Sequence, residues 1–235
     1  MKTKIIILSM KDIFITLPLL NRISIDERLD LKKVFFLKER NSFKKKIKIL
    51  FLLSFKDFFK LVLIFINSIL KKKNNFKNVF SNNVNSYDLI NTVNNLSPDI
   101  IVCINCPQIL SEKTINAIKA PIFNFHPGDL PSFRGVLIPF FLLRQKEKKA
   151  CISFHKIDKY IDKGQLINKK YISLSKKETF FSVYEKIFLS NESYNFIINS
   201  ILHYSDIKID IKDNISNYYN YPSIIEILRF RIGIR

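Results

Sequence analysis

The sequence of 235 residues contains only 4 glycines and 3 cysteines, and both scarcities exclude whole classes of protein. So few glycines exclude a collagen-like chain and a glycine-rich low-complexity chain. Three cysteines are too few for a disulfide scaffold, which favours a reducing, cytoplasmic location. The apolar run at 5–8 is shorter than the apolar core of a signal peptide. What is present, 47% hydrophobic residues, suffices for the core of one domain.

Acidic residues are also scarce, with 20 against 39 basic residues and a formal net charge of +19. Such a balance is typical of proteins that bind nucleic acid or an anionic surface. Lysine supplies 31 of the basic residues and arginine only 8, and the chain holds 39 Ile and 22 Asn. Lys, Ile and Asn are the residues that an A/T-rich coding bias enriches. Arginine reads phosphates and bases better than lysine, so its scarcity favours coding bias over a nucleic-acid partner.

Cys103 and Cys106 form a CxxC pair inside an apolar run. The run is typical of a buried strand, on which residues three apart point to opposite faces. We therefore expect neither a shared metal site nor a redox pair at these cysteines.

Apolar runs and helical patterns alternate along the chain, which predicts an α/β domain. The predicted strands are 5–8, 34–37, 78–80, 99–104, 121–125, 151–156 and 166–174, and the predicted helices are 86–96, 111–118, 136–146 and 179–203. The expected fold is a Rossmann-like, mostly parallel sheet with helices on both faces. Residues 1–205 would form this domain, and 206–235 a short C-terminal extension.

A long apolar segment, 49–70, lies within a lysine-flanked region at 44–73. It is long enough to span a bilayer, but Asp57 and Lys60 near its middle are costly there. Its polar residues fall on one side of a helical wheel, which predicts an amphipathic helix. We expect the apolar face to pack on the sheet. Peripheral contact of 44–73 with the inner face of a membrane is the alternative.

The loop at 126–135 follows a predicted strand, and ligands of open α/β sheets bind at such strand ends. The run Asn-Phe-His-Pro-Gly-Asp-Leu-Pro-Ser-Phe-Arg-Gly occupies 124–135, and Asp-Lys-Gly occupies 162–164. Together these motifs resemble the signature of the folate-dependent formyltransferases, and their separation agrees with that family. The resemblance covers 78–175 well and the N-terminal third poorly.

The resemblance implies an enzyme that transfers a formyl group from 10-formyltetrahydrofolate to a primary amine. Asn124 and His126 would stabilise negative charge on the formyl oxygen, because they stand two apart on a strand end and point the same way. Asp162 would favour the protonated imidazole and help to move the amine proton. His155 and His203 are interpreted as structural residues.

The resemblance also places the folate pterin between the loop after strand 99–104 and the loop that carries Asp162. Backbone groups do most of the recognition in such pockets. The residues implied are Gln108, Ile109, Leu110, Gly128, Asp129, Leu130, Pro131, Asp158, Lys159, Tyr160 and Ile161. Arg134 either binds an anionic part of a substrate or braces its own loop.

The acceptor is inferred by elimination within the family. Purine-pathway members hold a phosphate in a glycine-rich loop after the first strand, and residues 9–12 contain no glycine. Initiator-tRNA members carry an extra C-terminal barrel, for which the residues after Leu174 are too few. We expect a nucleotide-linked amino sugar of surface-glycan synthesis. The alternatives are the tRNA and purine types, a formyl-folate hydrolase, and a non-catalytic basic module for RNA or membrane. The oligomeric state stays open, a dimer included.

Overall fold

The computed structural model describes residues 2–39, 42–70, 76–205 and 217–233. Nine strands and nine helices lie in these ranges. The strands are β1 (Thr3–Ser9), β2 (Leu29–Leu37), β3 (Asn78–Ser81), β4 (Ile100–Ile104), β5 (Ile122–His126), β6 (Arg134–Gly135), β7 (Lys149–Lys156), β8 (Leu166–Ser173) and β9 (Tyr218–Tyr219). The helices are α1 (Thr16–Ser24), α2 (Ser42–Leu52), α3 (Phe55–Leu70), α4 (Tyr87–Leu96), α5 (Glu112–Ala117), α6 (Ile138–Arg144), α7 (Phe180–Leu189), α8 (Asn191–Leu202) and α9 (Ile224–Arg231).

Seven strands form one sheet in the order β3-β2-β1-β4-β5-β7-β8. The first five run parallel, while β7 pairs antiparallel with both β5 and β8. The expected mostly parallel sheet is therefore confirmed. The strands β6 and β9 pair with each other in a second, two-stranded sheet.

Alternation along the strands divides the core into two layers. Ile5 and Ile7 pack with residues of α1, α7 and α8 on one face of the sheet. Ile6 and Leu8 point the other way and pack with residues of α4. The expected helices on both faces are confirmed, and the continuous apolar run of β4 follows from burial on both sides.

Serine caps decide where several helices begin. Ser86 and Ser111 accept backbone N–H groups at the starts of α4 and α5. The prediction of a single helix over 179–203 is wrong, because the helix is interrupted at Ser190. The backbone of Ser190 is extended, and its side chain accepts the N–H of Ser193 to start α8.

The segment 49–70 also forms two helices rather than one. Ser54 and Asp57 exchange side chain to backbone hydrogen bonds at 3.0 Å each, a cap that begins α3 anew. The expected packing of the apolar face is realised only in part: Leu61 and Ile64 of α3 pack against the core, while the other described apolar side chains of this helix are exposed. Its exposed surface is mostly apolar, and Asp57 faces inwards with 3% exposure. The lysines at 71–73 lie outside the described residues.

Candidate active site

Two antiparallel strands bring three polar side chains together. β5 carries Asn124 and His126, and the register of β5 with β7 sets His155 directly opposite Asn124. Nδ2 of Asn124 lies 3.1 Å from Nε2 of His155. Directly opposed residues in antiparallel strands lie close enough for such contacts. His155, interpreted from the sequence as a structural residue, lies at the centre of this group of polar side chains.

Asp162 joins this group from the loop between β7 and β8. Its Oδ1 lies 3.6 Å from Nδ1 of His126 and 3.6 Å from Nε2 of His155. Its Oδ2 accepts the backbone N–H of Gly135 at 3.1 Å. The structure thus brings the three predicted catalytic residues of both motifs into one cluster.

Gly164 explains the Asp-x-Gly spacing. A Cβ added at Gly164 would lie 1.7 Å from the carbonyl oxygen of Lys156, at the end of β7. Only glycine allows this crossing of the two backbone segments. The loop can therefore turn back over the strand end and return Asp162, with a left-handed φ of 53°, to the two histidines.

The hydrogen-bond partners of His155 determine which of its ring nitrogens carries the proton. Its Nδ1 lies 3.1 Å from the Lys156 carbonyl, which can only accept, so Nδ1 carries a proton. Burial lowers the pKa of His155 to about 4, although the Asp162 carboxylate opposes this shift. The neutral ring then has a lone pair on Nε2, which accepts from Asn124. One amide hydrogen of Asn124 is thereby used, and the second is left for a ligand.

His126 is also buried and has partners at both ring nitrogens. Its Nε2 donates to the Phe133 carbonyl at 2.7 Å, and its Nδ1 faces Asp162. For Nε2 to donate to a substrate oxygen, the contact with Phe133 must be given up. The position of the 126–135 loop therefore decides what His126 can reach.

Ser153 on β7 holds the start of that loop. Its hydroxyl donates to the Gly128 carbonyl at 2.6 Å and accepts the Leu130 N–H at 3.2 Å. A Cβ at Gly128 would lie 2.4 Å from the Phe133 carbonyl oxygen, so glycine permits the tight fold of the loop over His126. The Leu130–Pro131 peptide bond is cis.

The C-terminal extension covers the other end of the loop. The strand β9 pairs with β6, and the Tyr219 carbonyl accepts the Val136 N–H at 2.9 Å. The Tyr219 ring stacks on Phe133, with ring centroids 5.3 Å apart. The described part of the extension is thus packed against the catalytic loop.

Arg134 is the first residue of β6, pairs with Tyr218 of the extension and is 9% exposed. Its guanidinium carbon lies 6.0 Å from the centre of the Tyr218 ring. Its Nε is buried, and no acceptor for it exists among the described residues. A buried donor without an acceptor fits a site for an anionic group of a ligand.

The predicted pterin loop after β4 uses its side chains differently. The Gln108 side chain accepts the Val84 N–H at 2.8 Å and donates to the carbonyls of Lys38 and Asn82. Leu110 is buried, while Ile109 is 64% exposed. Gln108 therefore fixes the loop, and only backbone groups and Ile109 are available to a ligand.

The second predicted wall, 158–161, lies close to the first. Asp158 accepts the backbone N–H of Tyr160 at 2.8 Å. Lys159 forms a 3.6 Å ion pair with Glu112 at the start of α5, which links the two loops. Tyr160 and Ile161 are exposed, and with Ile109 they offer apolar surface that fits a flat aromatic ring.

Asp129 belongs to different surroundings. Its carboxylate accepts from Lys169 at 2.8 Å and from the Tyr171 hydroxyl at 2.9 Å, both on β8. It also borders a cavity of about 430 Å³, for which no catalytic residue is among the lining residues. The side chain of Asp129 is therefore engaged away from the cluster.

The prediction that Cys103 and Cys106 point to opposite faces of one strand is wrong. β4 ends at Ile104, so Cys106 is not on the strand, and both cysteines pack in the same apolar layer. Hydrogen bonding to Cys106 and burial raise the pKa of Cys103, and both thiols are free. In the described ranges no group of three or more His, Cys, Asp or Glu side chains could hold a metal ion.

Comparison with known proteins assigns this chain to a family. A family model described as "Formyl transferase" matches residues 33–199. The bifunctional polymyxin resistance protein ArnA of Wigglesworthia glossinidia brevipalpis is 31% identical over 164 residues, which cover 68% of this chain and 25% of ArnA. The methionyl-tRNA formyltransferase of Thermotoga maritima is 28% identical over 97 residues, 41% of this chain and 31% of the relative. The chain thus spans about a third or less of these curated relatives.

A solved structure shares the fold. It is that of WlaRD, described as a sugar 3N-formyl transferase in the presence of dTDP and 5-N-formyl-THF. Its TM-score is 0.58 at 19% identity, and the match covers 94% of this chain and 70% of WlaRD. At this identity the likeness supports the architecture alone.

Proposed function

We propose that this chain, which belongs to the formyl transferase family, transfers a formyl group from 10-formyltetrahydrofolate to the amine of a nucleotide-linked sugar. The observation that carries the proposal is the convergence of Asn124, His126 and Asp162 around the neutral His155. An amide donor, an imidazole and a carboxylate at one strand end are the groups that acyl transfer to an amine requires.

Each side chain has a role that follows from its contacts. Bound 10-formyltetrahydrofolate supplies the activated formyl carbon. Asn124 holds one amide hydrogen on His155 and directs the other to the oxygen on which negative charge develops. Asp162 accepts the proton that the attacking amine loses, and this proton passes to the folate nitrogen as its bond to the formyl carbon breaks. His126 lies beside Asp162 and adds a second donor once its bond to Phe133 is released.

The residues of the two predicted loops fit the folate. Ile109, Tyr160 and Ile161 supply exposed apolar surface next to backbone groups, and the ion pair of Lys159 with Glu112 holds the loops together. These residues would bind the pterin ring by stacking and by backbone hydrogen bonds. Asp158 would shape its own turn through the bond to Tyr160.

Two observations support a nucleotide sugar as the acceptor. Arg134 offers a buried Nε without an acceptor among the described residues, as a phosphate or diphosphate would need. The structural neighbour WlaRD is described as a sugar 3N-formyl transferase with dTDP. Both favour an acceptor that carries phosphate.

The start of α1 argues against a purine-type acceptor. The Asp12 carboxylate accepts the backbone N–H groups of Phe14, Ile15 and Thr16 at 3.0, 2.8 and 3.1 Å. These are the free donors that would hold a phosphate at a helix N-terminus. Because a carboxylate already fills this place, the loop after β1 does not offer a phosphate site.

An acceptor screen tests the proposal. The purified chain is given 10-formyltetrahydrofolate with dTDP- and UDP-linked amino sugars, glycinamide ribonucleotide, methionyl-tRNA or no amine, and products are scored by mass. We expect an N-formylated nucleotide sugar, absent with Asn124→Ala. Formylation of methionyl-tRNA or the ribonucleotide alone would refute the sugar acceptor, and formate release without any formylated amine would indicate a hydrolase.

A further inference from the structure

The helix α3 turns a narrow face of mixed polarity to the domain, with Asp57 beside Leu61 and Ile64. On this face the Thr179 hydroxyl donates to Asp57, and on its flank the half-exposed Lys60 forms a 2.6 Å ion pair with Glu185 of α7. Asp57 is buried to 3% exposure. A helix on the surface of a domain usually turns such residues to water and its apolar stripe to the core.

The opposite face of α3 is apolar and uncovered. Phe55, Phe59, Leu63 and Ile69 are each more than 60% exposed. The exposed apolar residues of α3 are Phe55, Phe58, Phe59, Val62, Leu63, Phe65, Ile66 and Ile69. At about 100° per residue they span roughly 160° of the helix, opposite Asp57. Apolar surfaces of this extent mark sites of contact with a partner or a membrane.

Neighbouring helices continue this surface. Leu50 and Phe51 of α2 are exposed, as is Leu228 of α9. Arg231, at the end of α9, donates to the Leu53 carbonyl at 2.9 Å, beside the junction of α2 and α3. The exposed apolar face of α3 is thus accompanied by exposed apolar side chains on the neighbouring helices α2 and α9.

The charge of the segment selects the partner. Residues 42–70 contain six lysines and one acidic residue, and that residue, Asp57, is buried. Lys56 and Lys60 lie on one flank of the apolar face. In a symmetric contact between two copies, the lysines of both chains would meet, and cores of protein interfaces are poor in lysine. An anionic lipid surface is complementary to both the apolar face and the lysines.

We propose that α2 and α3 bind the interface of an anionic membrane, with the apolar face of α3 at the level of the acyl chains. Phe59 and Leu63, 66% and 62% exposed, belong to the inserted face, and the lysines contact lipid headgroups. Within the described ranges no helix is both long and apolar enough to cross a bilayer. The helices would therefore lie along the surface, in the mode of amphipathic membrane anchors.

The chain offers a direct probe, because it contains no tryptophan. Phe59→Trp places a single reporter on the proposed face. Tyr87→Trp, on the 75% exposed Tyr87 of α4 at the other face of the sheet, is the matched control. Both variants are mixed with vesicles of phosphatidylcholine, with and without phosphatidylglycerol.

We expect a blue shift of Phe59→Trp with anionic vesicles and none for Tyr87→Trp. Binding to anionic vesicles should be about tenfold or more stronger than to neutral vesicles and should weaken in high salt. In a tryptophan-free background, Phe59→Ser with Leu63→Ser should abolish co-sedimentation while circular dichroism stays unchanged. Equal spectra with and without anionic vesicles would overturn the proposal. The proposal would also be overturned if the protein bound no lipid but formed a dimer that these serine substitutions dissociate.

Discussion

Nδ2 of Asn124 lies 3.1 Å from Nε2 of His155, across the antiparallel pair β5 and β7. This contact aims one amide hydrogen at the imidazole and leaves the other for a ligand. It also links the two sequence motifs, because His155 lies 3.6 Å from Asp162. His155 is therefore a positioning residue for Asn124, and its ring borders Asp162.

Removal of any predicted catalytic side chain should nearly abolish turnover. Asn124→Ala, His126→Ala and Asp162→Ala should each lower kcat by about 10²–10³, the usual effect of losing one oxyanion donor. Effects in the double variants should not add, because all three act on one transition state. Formylation is followed by mass, and the exposed Asp88→Asn on α4 is the control. Near wild-type turnover of His126→Ala would refute the assignment.

His155 should make the fold sensitive to acid. Its pKa falls from 6.5 to about 4 on folding, so between these values the unfolded chain binds the proton and the folded chain does not. Stability should therefore drop as pH falls through this window, by up to about 3 kcal/mol, and be unaffected by this group above pH 6.5. The free energy of unfolding, measured with urea between pH 4 and 7, should depend less steeply on pH in His155→Gln than in the unsubstituted protein. Parallel profiles of the two proteins would contradict the burial of a neutral ring.

Gly164→Ala should damage the site without unfolding the sheet. The added Cβ would meet the Lys156 carbonyl oxygen at 1.7 Å, so the loop must shift and move Asp162. A misplacement of about 1 Å can cost about 10² in rate. Gly233→Ala is the control for a substituted glycine: nothing lies within 4 Å of its added Cβ, and the backbone strain at its left-handed φ of 75° is confined to the C-terminal end of α9. We expect unchanged circular dichroism and a loss of kcat/KM for Gly164→Ala alone. Equal activity of the two variants would show that the crossing is not required.

Tyr219 should support the catalytic loop from a distance in the sequence. Tyr219→Ala removes the stacking on Phe133 and the contact with Phe141, whose ring centroids lie 5.3 and 4.5 Å away. The Phe133 carbonyl that holds His126 should then move, and kcat should fall by about tenfold or more. Tyr219→Phe retains both ring contacts and should restore activity. If Tyr219→Phe were as impaired as Tyr219→Ala, the hydroxyl contact with Gln145 would be the important one.

The sequence by itself determined the sheet and the two motifs. Short continuous apolar runs such as β4 are typical of strands buried on both faces, and serines at 86 and 111 mark helix starts through local hydrogen bonds. These signals lie within a few residues of one another, so they can be read from the chain. Asn124 and His126 are likewise two residues apart, whereas Asp162, 36 residues further on, was identified only through the resemblance of both motifs to the family signature.

Only the tertiary structure decided the role of His155, which face of α3 turns towards the domain, and where the extension packs. The pairing of β5 with β7 sets His155 opposite Asn124, and a register is a relation between distant segments that no local pattern contains. The wheel of α3 shows an apolar and a polar face, but only tertiary contacts decide that Asp57 turns inwards with Leu61 and Ile64, where it accepts from Thr179 at the start of α7. Likewise β9 finds β6 across more than eighty residues, because the partner strand and not the tail's own sequence supplies the hydrogen bonds.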